Sequence, residues 1–274
     1  MTGVQTCALP ISQPEAVKTF LGIFPDVDSA CTAVSAVIGH GIVPAALEMI
    51  DALSIRAVQN VMDAGYPDDA GAVLLIELEG LQEEVDEIGA EVEAALWESD
   101  PTQVRIAEKA EDRDILWVGR KGALGALGSL APNYYLVDGV VPRTQLTQVL
   151  RRVAEISQEH GIPIANVFHA GDGNLHPCLL FDERKPGAMA AIVAAGAEVM
   201  KVCVDAGGTL TGEHGVGLEK KELMPLVYSE EDMAAMRLVR EAFAPENRLN
   251  PGKIFPDGIH YLPPARRPEP GLSI

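Results

Sequence analysis

Apolar and polar positions alternate along the chain in blocks that predict strands and helices in turn. The run 16–24 (AVKTFLGIF) is apolar enough for a buried strand. Asp26 and Asp28 can start a helix that runs to about His40, where Gly39 and Gly41 are stop signals. A second strand-like run covers 43–50. A helix over 55–64 ends at Gly65 and Pro67, and 72–79 (AVLLIELE) is the clearest buried strand. Residues 82–97 then place Val85, Ile88, Val92, Ala95 and Leu96 at helical spacing, with an acidic opposite face.

A second part begins near Val104. Residues 109–127 have a helical pattern weakened by Gly119, Gly122, Gly125 and Gly128. Residues 134–141 read as one strand. The run 143–160 is a strong helix with Leu146, Val149, Leu150, Val153 and Ile156 on one face and Gly161 as its stop. Two strands, 163–168 and 175–181, are joined through HAGDGN. Helices over 187–206 and 230–243 complete the pattern. Repeated strand–helix units of this kind predict an α+β fold with ferredoxin-like character.

Composition narrows the function classes. Of the 274 residues 47% are hydrophobic and 22% charged, which predicts a packed core. A formal net charge of −19 argues against nucleic acid, whose phosphates need basic partners, and against anionic lipid. No stretch reaches the roughly 18–20 uncharged apolar residues of a membrane span. The four cysteines, Cys7, Cys31, Cys178 and Cys203, form no CxxC pair and fit a reduced, cytosolic compartment. No GxGxxG follows a strand and no Walker loop occurs, so no nucleotide site of the usual form is encoded. The glycines 207, 208 and 212 lack the strand–turn–helix context of a phosphate cradle.

Two stretches carry chemistry. In HAGDGNLH, His169 and His176 bracket a turn whose glycines admit positive φ. In GGTLTGEHGVGLEK, residues 207–220, Glu213 and His214 stand between glycines, which suits a further metal ligand and a general base. His169, His176 and Glu213 match the two-histidine, one-carboxylate pattern for a divalent metal such as zinc, manganese or iron. A metal-dependent hydrolase and a non-catalytic binding module fit the same residues.

The segments WVGRK (117–121), PNYYLVDG (132–139), NVFHAGDGNLHP (166–177), TGEHGVGLEK (211–220) and RLNPGKIFP (248–256) resemble the C-terminal domain of FAD-linked oxidases. The short HAGDGNLHP form, WVGRK and PNYYLVDG resemble most the glycolate oxidase D-subunit type, with D-lactate and D-2-hydroxyglutarate dehydrogenases more distant. The resemblance spans about Pro14 to Pro256. It implies an α+β substrate domain whose large antiparallel sheet caps the flavin. It also implies FAD-dependent oxidation of a small 2-hydroxy acid, glycolate or D-lactate, to the 2-oxo acid.

Carried over motif by motif, His169, His176 and Glu213 are the metal ligands and His214 the base. Arg120 clamps the substrate carboxylate, and Asn174 orients substrate or a ligand histidine. Asn250 and Lys253 face the flavin edge or fix the C-terminal loop. Where 2-hydroxyglutarate-specific relatives hold a second carboxylate with lysine and threonine, Leu136 and Leu124 stand here, which favours a monocarboxylic substrate. The resemblance further implies FAD-binding and iron–sulfur partner subunits, and a cytoplasmic location peripheral to the membrane through them.

In the family an FAD-binding domain of roughly 200 residues precedes this region. It is absent from this sequence. Residues 1–11 contain GVQTCALPI, which matches the translation of a common sequencing adapter, so the natural gene is expected to begin further upstream. The substrate domain is expected over 12–256, with a loose proline-rich tail over 257–274.

Overall fold

A computed structural model describes residues 14–257; the expectations for residues 1–11, for Cys7 and for the tail beyond Asp257 lie outside the described residues. The first four strands are β1 (Ala16–Phe24), β2 (Ala46–Asp51), β3 (Ala72–Gly80) and β4 (Gln103–Ala107). They pair antiparallel in the order β4-β1-β3-β2, the ferredoxin-like arrangement. The sheet continues through β7 (Ile164–His169), β8 (Asn174–Leu175) and β6 (Gly139–Val140), while β5 (Asn133–Leu136) pairs with β9 (Pro177–Phe181), which also pairs with β7.

Strict alternation along the strands splits the core into two layers. On one face Phe20, Phe24, Leu74 and Ile76 pack with α1 (Val27–Gly39), α3 (Gln82–Trp97), α5 (Leu146–His160) and α6 (Ala188–Asp205). On the other, Leu21, Ile23, Val73 and Leu75 pack with α2 (Ala52–Gln59) and α4 (Ala110–Ala126). The last helix is α7 (Glu230–Phe243), opened by a reciprocal Ser229–Asp232 capping box. The five apolar residues foreseen on α5 are all buried, and Gly161 ends that helix at φ 62°. Each such side chain contributes roughly 1.5–3 kcal/mol. Among the described residues no helix is long and apolar enough to cross a membrane.

Three features depart from the sequence pattern. The first part does not end at Val104, because β4 is an edge strand of the ferredoxin-like sheet, paired to β1 from Thr19 to Ile23. The run 134–141 is two strands, not one. After Leu136 the chain leaves β9, turns Asp138 inward, and joins β8 as β6. HAGDGN joins β7 not to one strand but to the short β8, which registers Asn174 against His169 before β9 begins. Helix limits shift as well: α2 covers 52–59 and α5 begins at Leu146 after a 3-10 turn over 143–145.

Gly173 sits at the tip of the β7–β8 turn with φ +68°, and a Cβ there would lie 2.2 Å from the Val141 carbonyl oxygen. Its own carbonyl accepts from Val141 N–H at 2.9 Å. Gly173→Ala therefore meets left-handed strain of about 1–2 kcal/mol and a clash with backbone worth about 1–3 kcal/mol. Urea unfolding is expected to show a loss of about 2–5 kcal/mol. An unchanged midpoint would mean that the turn relaxes freely.

Candidate active site

Register builds the first half of the site. Glu48 on β2 stands directly opposite His169 on β7, so both side chains leave the sheet on the α4 face. His169 Nδ1 lies 2.7 Å from Glu48 Oε1. The other carboxylate oxygen of Glu48 accepts from Arg120 Nε at 3.1 Å and Nη2 at 2.6 Å. One helical turn earlier on α4, Trp117 Nε1 donates to Glu77 Oε2 at 2.8 Å, an oxygen that also accepts from Thr19 Oγ1. The W-x-x-R spacing thus places two donors over two sheet glutamates.

Burial pushes the Glu48 carboxyl up, but His169 and Arg120 outweigh it and hold it below its ordinary value. The same hydrogen bond raises His169 above the usual imidazole range.

The second half is organised by Asp138, whose side chain has no solvent exposure. Its carboxylate accepts from Lys220 Nζ at 2.8 Å, Thr211 Oγ1 at 2.6 Å, Gly212 N–H at 3.0 Å and His214 N–H at 3.1 Å. Asn174 is buried, and its amide nitrogen, in the orientation that satisfies its neighbours, donates to Asp138 Oδ1 at 2.9 Å. Burial raises the Asp138 carboxyl. The His176 ring nearby and the donors from Lys220, Thr211 and Gly212 outweigh it and hold the group well below the usual carboxylate range.

Close backbone approach completes the loop. Thr209 exchanges both backbone hydrogen bonds with Val140 on β6. A Cβ on Gly208 would lie 1.7 Å from the Val140 carbonyl oxygen, so only glycine fits there. Gly212 is as tightly placed, because a Cβ there would lie 2.5 Å from the Asn174 side chain.

These two halves bring His169, His176, Glu213 and His214 together. Ligand atoms of His169, His176 and Glu213 all lie within 4.8 Å of one another. Glu213 Oε1 is 3.1 Å from His176 Nε2, 3.6 Å from His169 Nε2 and 3.6 Å from His214 Nε2. His176 Nε2 is nonetheless a buried nitrogen without a hydrogen bond. The His214 ring stacks on His176 at 5.0 Å between centroids, and the His169 ring meets it edge-on at 5.2 Å.

Arg120 joins this group through Glu48. Asn174 faces Asp138 instead, behind the loop that carries Glu213. Asn250 and Lys253 lie in the C-terminal loop, where Lys253 Nζ meets Asn250 Oδ1 at 3.3 Å and Arg240 donates to the carbonyls of Leu249, Asn250 and Lys253. That loop touches the site loop through Ile254 N–H to the Gly217 carbonyl at 2.7 Å. Sequence reading missed Glu48, Asp138 and Lys220. For Glu48 and Asp138 the signal available was a charged residue inside a segment that buries its neighbours; Lys220 stands among charged residues and gave none.

Comparison with known proteins places this architecture. The model for "FAD linked oxidases, C-terminal domain" matches residues 13–254. The chain belongs to this family. It is 42% identical over 246 residues to the glycolate oxidase subunit GlcD of Escherichia coli K12, covering 90% of this chain and 49% of that protein. It is 30% identical over 241 residues to the mitochondrial D-lactate dehydrogenase [cytochrome] of Kluyveromyces lactis, covering 85% of this chain and 41% of that protein. The chain thus spans about half the length of the curated relatives it matches. The fold resembles p-cresol methylhydroxylase with substrate bound, at a TM-score of 0.66 and 15% identity over 88% of this chain and 53% of that one. The FAD-linked family and the large antiparallel sheet with flanking helices agree with the expectations from sequence.

The buried pair yields a stability test. Asp138→Ala strands the Lys220 ammonium among buried groups and removes the anchor of the Gly212, Glu213 and His214 backbone N–H groups, so a loss of about 3–5 kcal/mol is expected in urea unfolding. Lys220→Met leaves Asp138 its hydroxyl and backbone donors and is expected to cost less. Equal losses would show that the donors from the loop contribute little.

Proposed function

We propose that this chain is the substrate-side part of an FAD-dependent 2-hydroxy-acid oxidoreductase that converts glycolate, or alternatively D-lactate, to the 2-oxo acid. The observation that carries the proposal is the convergence of two histidines and a glutamate beside a half-buried arginine. Kinship with the glycolate oxidase subunit and D-lactate dehydrogenase supports the reaction class.

The donor set fits a divalent cation. A buried imidazole nitrogen without a hydrogen bond and a carboxylate oxygen 3.1 Å from it make a poor pair unless a cation lies between them. His169, His176 and Glu213 would hold a zinc, manganese or iron ion and leave positions open for substrate. When bound, that ion supplies Lewis acidity at the substrate hydroxyl and the flavin supplies the hydride acceptor.

The chain's own residues supply the rest. With Nε and Nη2 on Glu48, Arg120 keeps its outer Nη1–Nη2 edge for a carboxylate, which orients C2. His214, half-exposed at the rim, accepts the hydroxyl proton at a ring nitrogen and can pass it outward. Leu124 lies four residues past Arg120 on the same helix, and Leu136 lies on β5. Both pack on the α4-side core and offer no partner for a second carboxylate, which supports a monocarboxylic substrate. Asn174 acts as an orienting residue behind Glu213, and Asn250 and Lys253 shape the C-terminal loop toward the flavin side.

The proposal extends to the assembly. An FAD-binding and an iron–sulfur subunit take the electrons onward, and they hold the enzyme at the cytoplasmic face of the membrane. The word "subunit" in the relative's name supports a complex. The three cysteines among the described residues are free and buried, in keeping with a reducing compartment. The family match over residues 13–254 supports a substrate domain over 12–256.

Two measurements test this reading. The 274-residue chain is expected to bind about one Mn2+, and His169→Ala, His176→Ala and Glu213→Ala each to weaken it by at least about tenfold. Equal metal content in all four proteins would remove the cation. In the full-length enzyme, His214→Ala is expected to lower kcat by about 10²-fold or more with metal content kept, whereas Arg120→Ala mainly raises KM. Loss of metal in His214→Ala would reassign that histidine as a ligand.

A further inference from the structure

Glu48 belongs to none of the motifs above, yet it hydrogen-bonds to both Arg120 and His169. It is 8% exposed and lies on β2 in register with His169. Arginine can only donate hydrogen bonds, so Glu48 Oε2 is committed as an acceptor to Nε and Nη2. A carboxylate accepts at both oxygens, so the 2.7 Å contact from Oε1 to His169 Nδ1 requires the proton on Nδ1. In the neutral ring this leaves Nε2 as a lone pair. That lone pair faces Glu213 Oε1 at 3.6 Å, alongside the unpartnered His176 Nε2. Two groups that can only accept, the His169 Nε2 lone pair and Glu213 Oε1, thus face one point beside the unpartnered His176 Nε2, an arrangement that suits a cation.

We infer that Glu48 is a positioning residue that fixes the tautomer of His169 for metal binding and, with its other oxygen, holds Arg120 beside the same point. One carboxylate thereby ties the substrate clamp to a metal ligand. A histidine ligand whose second nitrogen donates to a carboxylate is oriented and made more basic. The inference rests on the metal reading given above for its purpose, but the tautomer itself can be measured without any metal.

Glu48→Gln makes the test sharp because it preserves shape. Its amide oxygen must turn to Arg120, which offers only donors. Its NH2 group then faces His169 Nδ1 and can be satisfied only if that nitrogen is the acceptor, which drives the ring proton to Nε2.

Long-range 1H–15N imidazole spectra of the metal-free 274-residue chain would be recorded at alkaline pH, where the ring is neutral, with His169→Asn for assignment. The wild type is expected to carry the proton on Nδ1, and Glu48→Gln on Nε2. Titration with Mn2+ is expected to give an affinity about 10–100-fold weaker in Glu48→Gln. Wild-type His169 protonated on Nε2 overturns the inference, and so does an unshifted Nδ1–H in Glu48→Gln. If Glu48→Gln fails to fold, the wild-type spectrum alone decides. A wild-type chain that takes up no Mn2+ overturns the metal reading, while the tautomer result still stands for or against Glu48.

Discussion

Asp138 is a carboxylate that water does not reach, and a buried charge must find its donors within the chain. It finds them in Lys220 and in a loop that forms no helix or strand of its own apart from one bridge to β6. The backbone N–H groups of Gly212 and His214 and the Thr211 hydroxyl all point at this one anion. The positions of Glu213 and His214 follow, since their backbone has no other regular support. Lys220, six residues beyond His214, closes the loop by returning to the same carboxylate and to the Asp138 carbonyl.

A second polar constraint sits within the other core layer. Glu48 and Glu77 emerge on the sheet face that α4 covers, and each would be costly there without a donor. Trp117 and Arg120, one turn apart on α4, supply those donors. The match sets how α4 lies on the sheet. It also explains why Arg120 is held with its inner edge occupied and one edge free, a state in which little rotamer freedom remains to be lost on binding an anion.

Between these anchors the site grades from buried to open. The His176 side chain is 6% exposed and that of His169 32%, whereas Glu213 and His214 are about half-exposed. His169 ends strand β7 and His176 sits between β8 and β9, whereas the group proposed to exchange a proton lies at the rim. Gly173 and Gly208 serve the same end, letting the backbones of β6, the β7–β8 turn and the site loop approach within hydrogen-bonding distance.

The chain's own pattern determined the elements. Strands β1 and β3 and helices α3, α5 and α7 follow from apolar periodicity and capping residues, because burial of one face is a local property of spacing. The histidines and Glu213 were legible too, because His169 and His176 bracket a glycine-rich turn and Glu213 and His214 stand between glycines. Tertiary structure alone decided the roles of Glu48, Asp138 and Lys220. Each lies in a segment that otherwise reads as ordinary strand or loop, and its partner is far off in sequence: 121 residues for Glu48 and His169, 82 for Asp138 and Lys220. No local period encodes such pairs. They exist only once register sets β2 against β7 and the chain turns Asp138 inward between β5 and β6, which is also why 134–141 reads as one strand in sequence and folds as two.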